Sequence, residues 1–263
     1  MKNPVVIIGI GELAGVLARG FLRDGFPVFP VTRDMDASEE AIGLPEPEMV
    51  VVAVAENDFP DMMAKMPAAW RTRLVLLKNE LLPEDWKTLG IENPTVMSVW
   101  FEKKKGMDYK PFRPTPIFGP YAETVASALG TLEIPAQIVR SEQELLFELV
   151  LKNVFVLTIN IAGLVLPEGS TTEDLWADHQ DLAKRIAGDV IAIQETITGQ
   201  SFNHADLIDG LKVGILADPN HKCRGRSAPG RLERALRDAD ANGVECPTIQ
   251  EIDHQLKNRE AVA

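Results

Sequence analysis

The segment PVVIIGIGELAGVLARGFLRDGFPVFPVTR, residues 4–33, constrains this chain more than any other. An apolar run, Val5 to Ile8, leads into Gly9-Ile10-Gly11-Glu12-Leu13-Ala14. An amphipathic stretch, Leu13 to Leu22, and a second apolar run, Val28 to Val31, follow. The order predicts strand, tight turn, helix, strand, which is one dinucleotide-binding unit. Gly9 permits the sharp exit from the strand. Gly11 carries no side chain, so a pyrophosphate can approach the backbone. Ala14 is small enough for the helix to pack on the sheet. The N–H groups and dipole at the helix start then face the phosphate charge. The six residues Gly9, Ile10, Gly11, Glu12, Leu13 and Ala14 are the candidate cofactor contacts. The plainer reading is a strand-to-helix turn that holds no ligand.

The end of the second strand distinguishes one dinucleotide from another. An acid there holds a ribose hydroxyl, whereas a basic group accommodates the 2′-phosphate of NADP. Here Thr32 and Arg33 offer a hydroxyl and a guanidinium, which suit a phosphate. The expected cofactor is NADP. Asp34 and Asp36 are the competing candidates, for a ribose, if the strand ends later. Arg33 as a solvated surface charge is the plainer alternative.

A length of 263 residues allows one large domain or two ordinary ones, and 45% hydrophobic residues supply a real core. The net charge of −12 argues against a general nucleic-acid binder but leaves room for a small anionic substrate. Cys223 and Cys246 make neither a disulfide framework nor a zinc motif, and His179, His204 and His254 stand at no ligand spacing, so no metal is expected. Reduced cysteines and an immediate entry into the first strand fit a cytoplasmic protein. The apolar stretch Leu145 to Leu166 contains Glu148, Lys152, Asn153 and Asn160, which fits a buried helix better than a membrane span.

Further strands are expected at Met49–Ala55, Arg73–Leu77, Thr95–Trp100, Thr115–Phe118 and Ala136–Arg140. Helical segments are expected at Glu56–Met66, Pro83–Thr88 and Tyr121–Leu129, and Lys103–Arg113 reads as a loop with a lysine run. The alternation argues a doubly wound, mostly parallel sheet. From Ser141 no strand pattern appears. Helices are expected at Glu142–Val165, Thr172–Thr198, Asn203–Leu216, Ala228–Asn242 and Pro247–Lys257, with a polar loop at Asp218–Pro229. The fold class is α/β: a Rossmann-type domain, residues 1–140, followed by an all-helical domain, residues 141–263.

This order, with Lys78-Asn79 ending the fourth strand and Lys152 inside the stretch FELVLKNVFVLTINIAGLVL, resembles the ketopantoate reductase family. The resemblance implies NADPH-dependent reduction of a small 2-oxo acid in a cleft between two domains. It implies that Lys152 is the general acid on the carbonyl oxygen, and that Asn79 and Asn160 assist. Lys152, Val156 and Asn160 are four residues apart and share a helix face. Departures from the family pattern are Val156 in place of an asparagine, Ala55 or Glu56 in place of a basic residue, and no glutamate securely placed near Ser227. Lys152 as a snorkelling lysine, Asn160 as a buried structural amide and Asn79 as a turn former are the structural alternatives.

The segment Asp218–Arg231 concentrates His221, Lys222, Arg224, Arg226 and Arg231 in an acidic chain. Arg224, Arg226 and Ser227 are candidates for binding a substrate carboxylate or phosphate; a solvated charge cluster is the alternative. The expected function is therefore an NADP-dependent oxidoreductase acting on a small oxo acid, with no nucleic-acid or membrane partner. The apolar long helix fits a homodimer. NADP binding without catalysis, as a sensor or scaffold, and a related hydroxy-acid or imine dehydrogenase are the rival readings.

Overall fold

In the computed structural model, which describes residues 2–262, the run Val5–Ile8 forms β1 and is buried along its length. The turn that follows opens α1 (Glu12–Arg23), which leads to β2 (Val28–Val31), paired parallel to β1. Pro30 lies in β2, an edge strand, where a missing N–H costs no ladder bond. Next come α2 (Ala37–Gly43), β3 (Met49–Val52), α3 (Phe59–Ala64), β4 (Leu74–Leu76), α4 (Glu84–Lys87) and β5 (Thr95–Met97). The strands β3 and β4 are buried throughout, as β-branched runs covered on both faces should be. A two-strand ribbon, β6 (Phe101–Glu102) and β7 (Lys110–Pro111), precedes β8 (Thr115–Phe118), α5 (Ala122–Gly130) and β9 (Ala136–Ile138).

The seven-stranded sheet has the order β2-β1-β3-β4-β5-β8-β9, parallel except where β8 runs antiparallel to β5. The chain leaves β1 toward β2 on one side and returns to β3 on the other. That reversal opens a crevice beyond the carboxyl ends of β1 and β3, where open α/β sheets bind ligands.

The second half is helical: α6 (Glu142–Val165), α7 (Thr172–Asp178), α8 (Gln180–Thr198), α9 (His204–Ala217), α10 (Ala228–Asn242) and α11 (Pro247–Val262). The chain separates into two compact units, one ending at Glu148 and one starting at Leu149, so the division falls inside α6. Among the described residues α6 alone is long and apolar enough to cross a membrane, but 78% of its most apolar window is buried in the protein. Every residue from Asn153 to Leu164 is buried, which makes it a core helix.

Within the helical unit, two buried polar side chains of α8, Gln194 and Asp189, tie it to its neighbours. Asn153 donates to the Gln194 side-chain oxygen at 2.8 Å in a buried pair. Asp189, 9% exposed, accepts from the backbone N–H groups of Thr248 at 2.8 Å and Ile249 at 3.0 Å. A carboxylate on one helix thus caps the start of another.

The structure corrects several boundaries. The expected helix Thr172–Thr198 is two helices, α7 and α8, broken at His179, whose φ of −131° and ψ of 30° leave the helical region. The Thr171–Asp174 capping box starts the first of them. The helix expected at Glu56–Met66 is a 3₁₀ turn, Glu56–Asp58, followed by α3. The loop Lys103–Arg113 contains β7. The helix α2 was not anticipated, since its one large apolar residue, Ile42, is 83% exposed and gives no periodicity.

Candidate cofactor and substrate sites

At the glycine turn, Gly9 has φ +89°, and a Cβ there would stand 2.7 Å from the Ala53 carbonyl oxygen. Both the conformation and the close approach of β3 require glycine. Gly9 N–H donates to Val31 O at 2.9 Å, and Ala53 N–H donates to Ile8 O at 2.9 Å, so the turn is stitched to both flanking strands. Gly11 is the N-cap of α1, makes no side-chain cap bond, and has open space where a Cβ would stand. Ala14 is 3% exposed and faces the core, whereas Ile10 is 66% exposed. Leu13 is half-buried and Glu12 is exposed. An uncapped helix start beside a side-chain-free position fits a diphosphate.

Thr32 and Arg33 follow β2 directly. Thr32 is half-buried and its N–H points at the Met35 sulfur at 3.4 Å. Arg33 pairs with Asp58 at 2.7 Å, with its side chain 86% exposed. Asp36 is committed elsewhere: its carboxylate accepts from Ser38 N–H at 2.7 Å and caps α2. Asn79, beyond β4, donates its amide to the Glu56 carboxylate at 2.7 Å. Glu56 is one of the two positions, with Ala55, on which the basic residue of the family pattern falls. Glu80 takes φ +61°, a conformation L residues rarely adopt, at the same end of the sheet.

On α6, Lys152 is half-buried and its Nζ lies 5.4 Å from the Phe155 ring centroid. Asn160 is 4% exposed; its Nδ2 donates to Val156 O at 2.9 Å, while its Oδ1 is buried with no hydrogen-bond partner. One turn on, a Cβ at Gly163 would collide with the Arg224 backbone nitrogen at 2.6 Å. The loop 223–225 therefore lies directly on α6, and a Cβ on Gly225 would stand 3.1 Å from Asn160 Oδ1. The loop is also held to the start of α7, where Thr172 N–H donates to His221 O at 2.8 Å and Cys223 N–H donates to Ser170 O at 3.0 Å. The structure thus brings Asn160 against the segment carrying Arg224, Arg226 and Ser227, all three exposed. Ser227 is the N-cap of α10 and makes no side-chain cap bond. Burial and the nearby Asp174 push the Cys223 thiol up to about 12, with Lys222 opposing, so it is inert at neutral pH.

Two groupings were not legible beforehand. Lys103, read as part of a solvated lysine run, pairs with Glu12 at 2.9 Å. Arg113 lies 4.7 Å over the Trp100 ring, and its charge acts on Glu148. Burial raises the Glu148 carboxyl above its ordinary range and Arg113 pulls it part of the way back. A single acid, Glu148, inside the apolar run Leu145–Leu151 was the available signal. Glu148 also lines a cavity of about 400 Å³ with Gln137, Ser141, Gln143 and Phe147, which none of the predicted site residues lines.

The sequence matches no protein-family model and none of the curated proteins compared with it. The fold does match solved structures. A 2-dehydropantoate 2-reductase from Methylococcus capsulatus superposes with a TM-score of 0.67 at 12% identity, over 98% of this chain and 97% of that one. A D-mandelate dehydrogenase solved with NADH gives 0.67 at 11% identity, over 100% and 99%. A dimeric ketopantoate reductase from Staphylococcus aureus gives 0.64 at 12% identity, over 97% and 98%. The chain has the ketopantoate reductase fold over its whole length.

Proposed function

We propose that this chain is a nicotinamide-dependent oxidoreductase that reduces the ketone of a small 2-oxo acid, with NADP as its cofactor. The glycine turn carries the reading: Gly9 is required by both φ and contact, and Gly11 leaves open space at an uncapped helix start. The solved structures of this fold support it, since their names are those of 2-oxo acid reductases and of a dehydrogenase with NADH. The bound nicotinamide supplies the hydride.

Thr32 and Arg33 receive the 2′-phosphate, with Arg33 exchanging Asp58 for a phosphate oxygen. That exchange costs little, because an exposed ion pair is worth about 0–1 kcal/mol. Lys152 stabilises the charge that grows on the carbonyl oxygen and then donates a proton to it. Asn79 and Asn160 assist in positioning. Arg224 or Arg226, with Ser227, takes the substrate carboxylate. The same reading includes a homodimer, as in the dimeric reductase from Staphylococcus aureus.

A specific observation favours a second reading, NADP binding without catalysis: the Asn79 and Asn160 amides are already given to Glu56 and to Val156 O. The test is NADPH oxidation over a panel of 2-oxo acids by wild type and Lys152→Ala. The expected loss in kcat is about 10²–10⁴-fold. Full turnover by Lys152→Ala refutes the general acid. Tight NADPH binding with no turnover on any acid favours the second reading.

A further inference from the structure

We propose that Lys103 is the cation that neutralises the cofactor's diphosphate, held ready at the glycine turn by Glu12. The inference rests on the reading of that turn as the nucleotide site. It starts from an electrostatic conflict. Glu12 is the first residue of α1, so it adds a negative charge to the helix start that a diphosphate would meet. A like charge at that place opposes binding unless a cation offsets it. The residues of the turn itself, Gly9 to Val16, include no Lys or Arg.

The fold brings in the missing charge from far along the chain. Lys103 follows β6 of the β6–β7 ribbon, and its Nζ lies 2.9 Å from Glu12 Oε2. The side chain is 20% exposed, in contrast to 52% for Lys104, which turns instead to Glu102 at 3.1 Å. Lys103 Nζ also donates to Lys104 O at 2.9 Å. An ammonium has three donors. Two are given to these oxygens, and the third remains for a phosphate oxygen. Gly11, next to Glu12, has nothing within 4 Å of the position a Cβ would take, so there is room for the phosphate.

The experiment is a binding titration of the full chain with NADPH, NADH and ADP, using wild type, Lys103→Met, Lys103→Arg, Glu12→Gln and Arg33→Ala, each first checked for an unchanged melt. Lys103→Met is expected to weaken all three ligands by about tenfold, because all three carry the diphosphate. The NADPH-to-NADH ratio then stays constant, whereas Arg33→Ala collapses it. Lys103→Arg retains most of the affinity, and Glu12→Gln tightens all three ligands. Unchanged binding by Lys103→Met overturns the proposal. So does a Glu12→Gln variant as weak as Lys103→Met, since the pair would then be structural only. If wild type binds none of the three, the reading of the turn fails and this proposal fails with it; if wild type binds and Lys103→Met equals it, only this proposal fails.

Discussion

Two substitutions in one turn should separate what glycine does for the fold from what it does for the ligand. Gly9→Ala places a methyl 2.7 Å from the Ala53 carbonyl oxygen on a backbone at φ +89°. The positive φ costs about 1–2 kcal/mol for an L residue, and the overpacking adds about 1–3. A sum of roughly 2–5 kcal/mol lowers the melting temperature by roughly 5–20 °C for a unit of this size. Gly11→Ser is the contrast. Its side chain enters open space at the N-cap of α1, where serine is a better cap than glycine by a few tenths of a kcal/mol. That variant should melt with wild type yet bind NADPH about tenfold or more weakly, because the hydroxymethyl occupies the room proposed for the diphosphate. Tryptophan fluorescence is the readout for the melt, since Trp70, Trp86 and Trp100 all lie in the first unit and are buried. A Gly9→Ala variant that melts with wild type refutes the close-approach argument. A Gly11→Ser variant with wild-type NADPH affinity removes the reason to place a phosphate there.

Other outcomes follow from single contacts. Asp189→Ala leaves two N–H groups at the start of α11 unpaired and should cost about 1–3 kcal/mol in urea unfolding, while Asp189→Asn keeps an acceptor and recovers part of it. Glu148 holds its proton more tightly folded than unfolded, so its contribution favours the fold at low pH and is lost as pH rises through the raised value. Glu148→Gln should therefore melt higher than wild type at neutral pH, and melting scans on a pH series should show that gap closing below the ordinary carboxyl value of 4.5. Asp58→Asn releases Arg33 and should widen the preference for NADPH over NADH, which Arg33→Ala should remove; comparative titrations check both.

The sequence could be read where composition and periodicity act over neighbours in the chain. The elements β1, β2, β8, α6 and α10 begin and end where their apolar runs and caps place them. Strand ends were overestimated where apolar composition outlasts the ladder: Met49–Ala55 reads as one run, but the strand stops at Val52 while Ala53 N–H makes one last bond to Ile8 O. α2 was missed because its only start signals are the Asp36 cap and Glu39-Glu40, with no buried stripe of large residues behind them. Among the candidate residues, the sequence pointed to Arg33 and Asn79 but not to the partners they meet, and it read Lys103 only as part of a charge run. Arg33 meets Asp58 across 25 positions, Asn79 meets Glu56 across 23, and Lys103 meets Glu12 across 91. No local pattern records such pairings, because the parallel crossovers and the β6–β7 ribbon create them.

Those partners share a character that bears on the substrate. At the sheet ends, two of the candidate side-chain donors that the sequence pointed to are met by acids: Arg33 by Asp58 and Asn79 by Glu56. On α6 the Asn160 amide is turned back to its own helix, and Val156 offers no hydrogen bond. One donor of each neutral amide is thus already engaged within the protein at both places where the ketopantoate reductase resemblance would use it. The candidates that stay exposed in the helical unit are Arg224, Arg226 and Ser227, and the loop 223–225 leading to them packs on α6 at Gly163. An amide-rich site discriminates hydroxyl patterns, since leaving a buried donor unpaired costs about 1–3 kcal/mol. A site reading mainly a carboxylate with arginine is permissive toward the rest of the molecule. The expectation is a reductase that accepts several short 2-oxo acids with similar kcat/KM and gains little from added hydroxyls. A preference of about a hundredfold for one hydroxylated acid over its deoxy analogue, measured on the same panel, would contradict this argument.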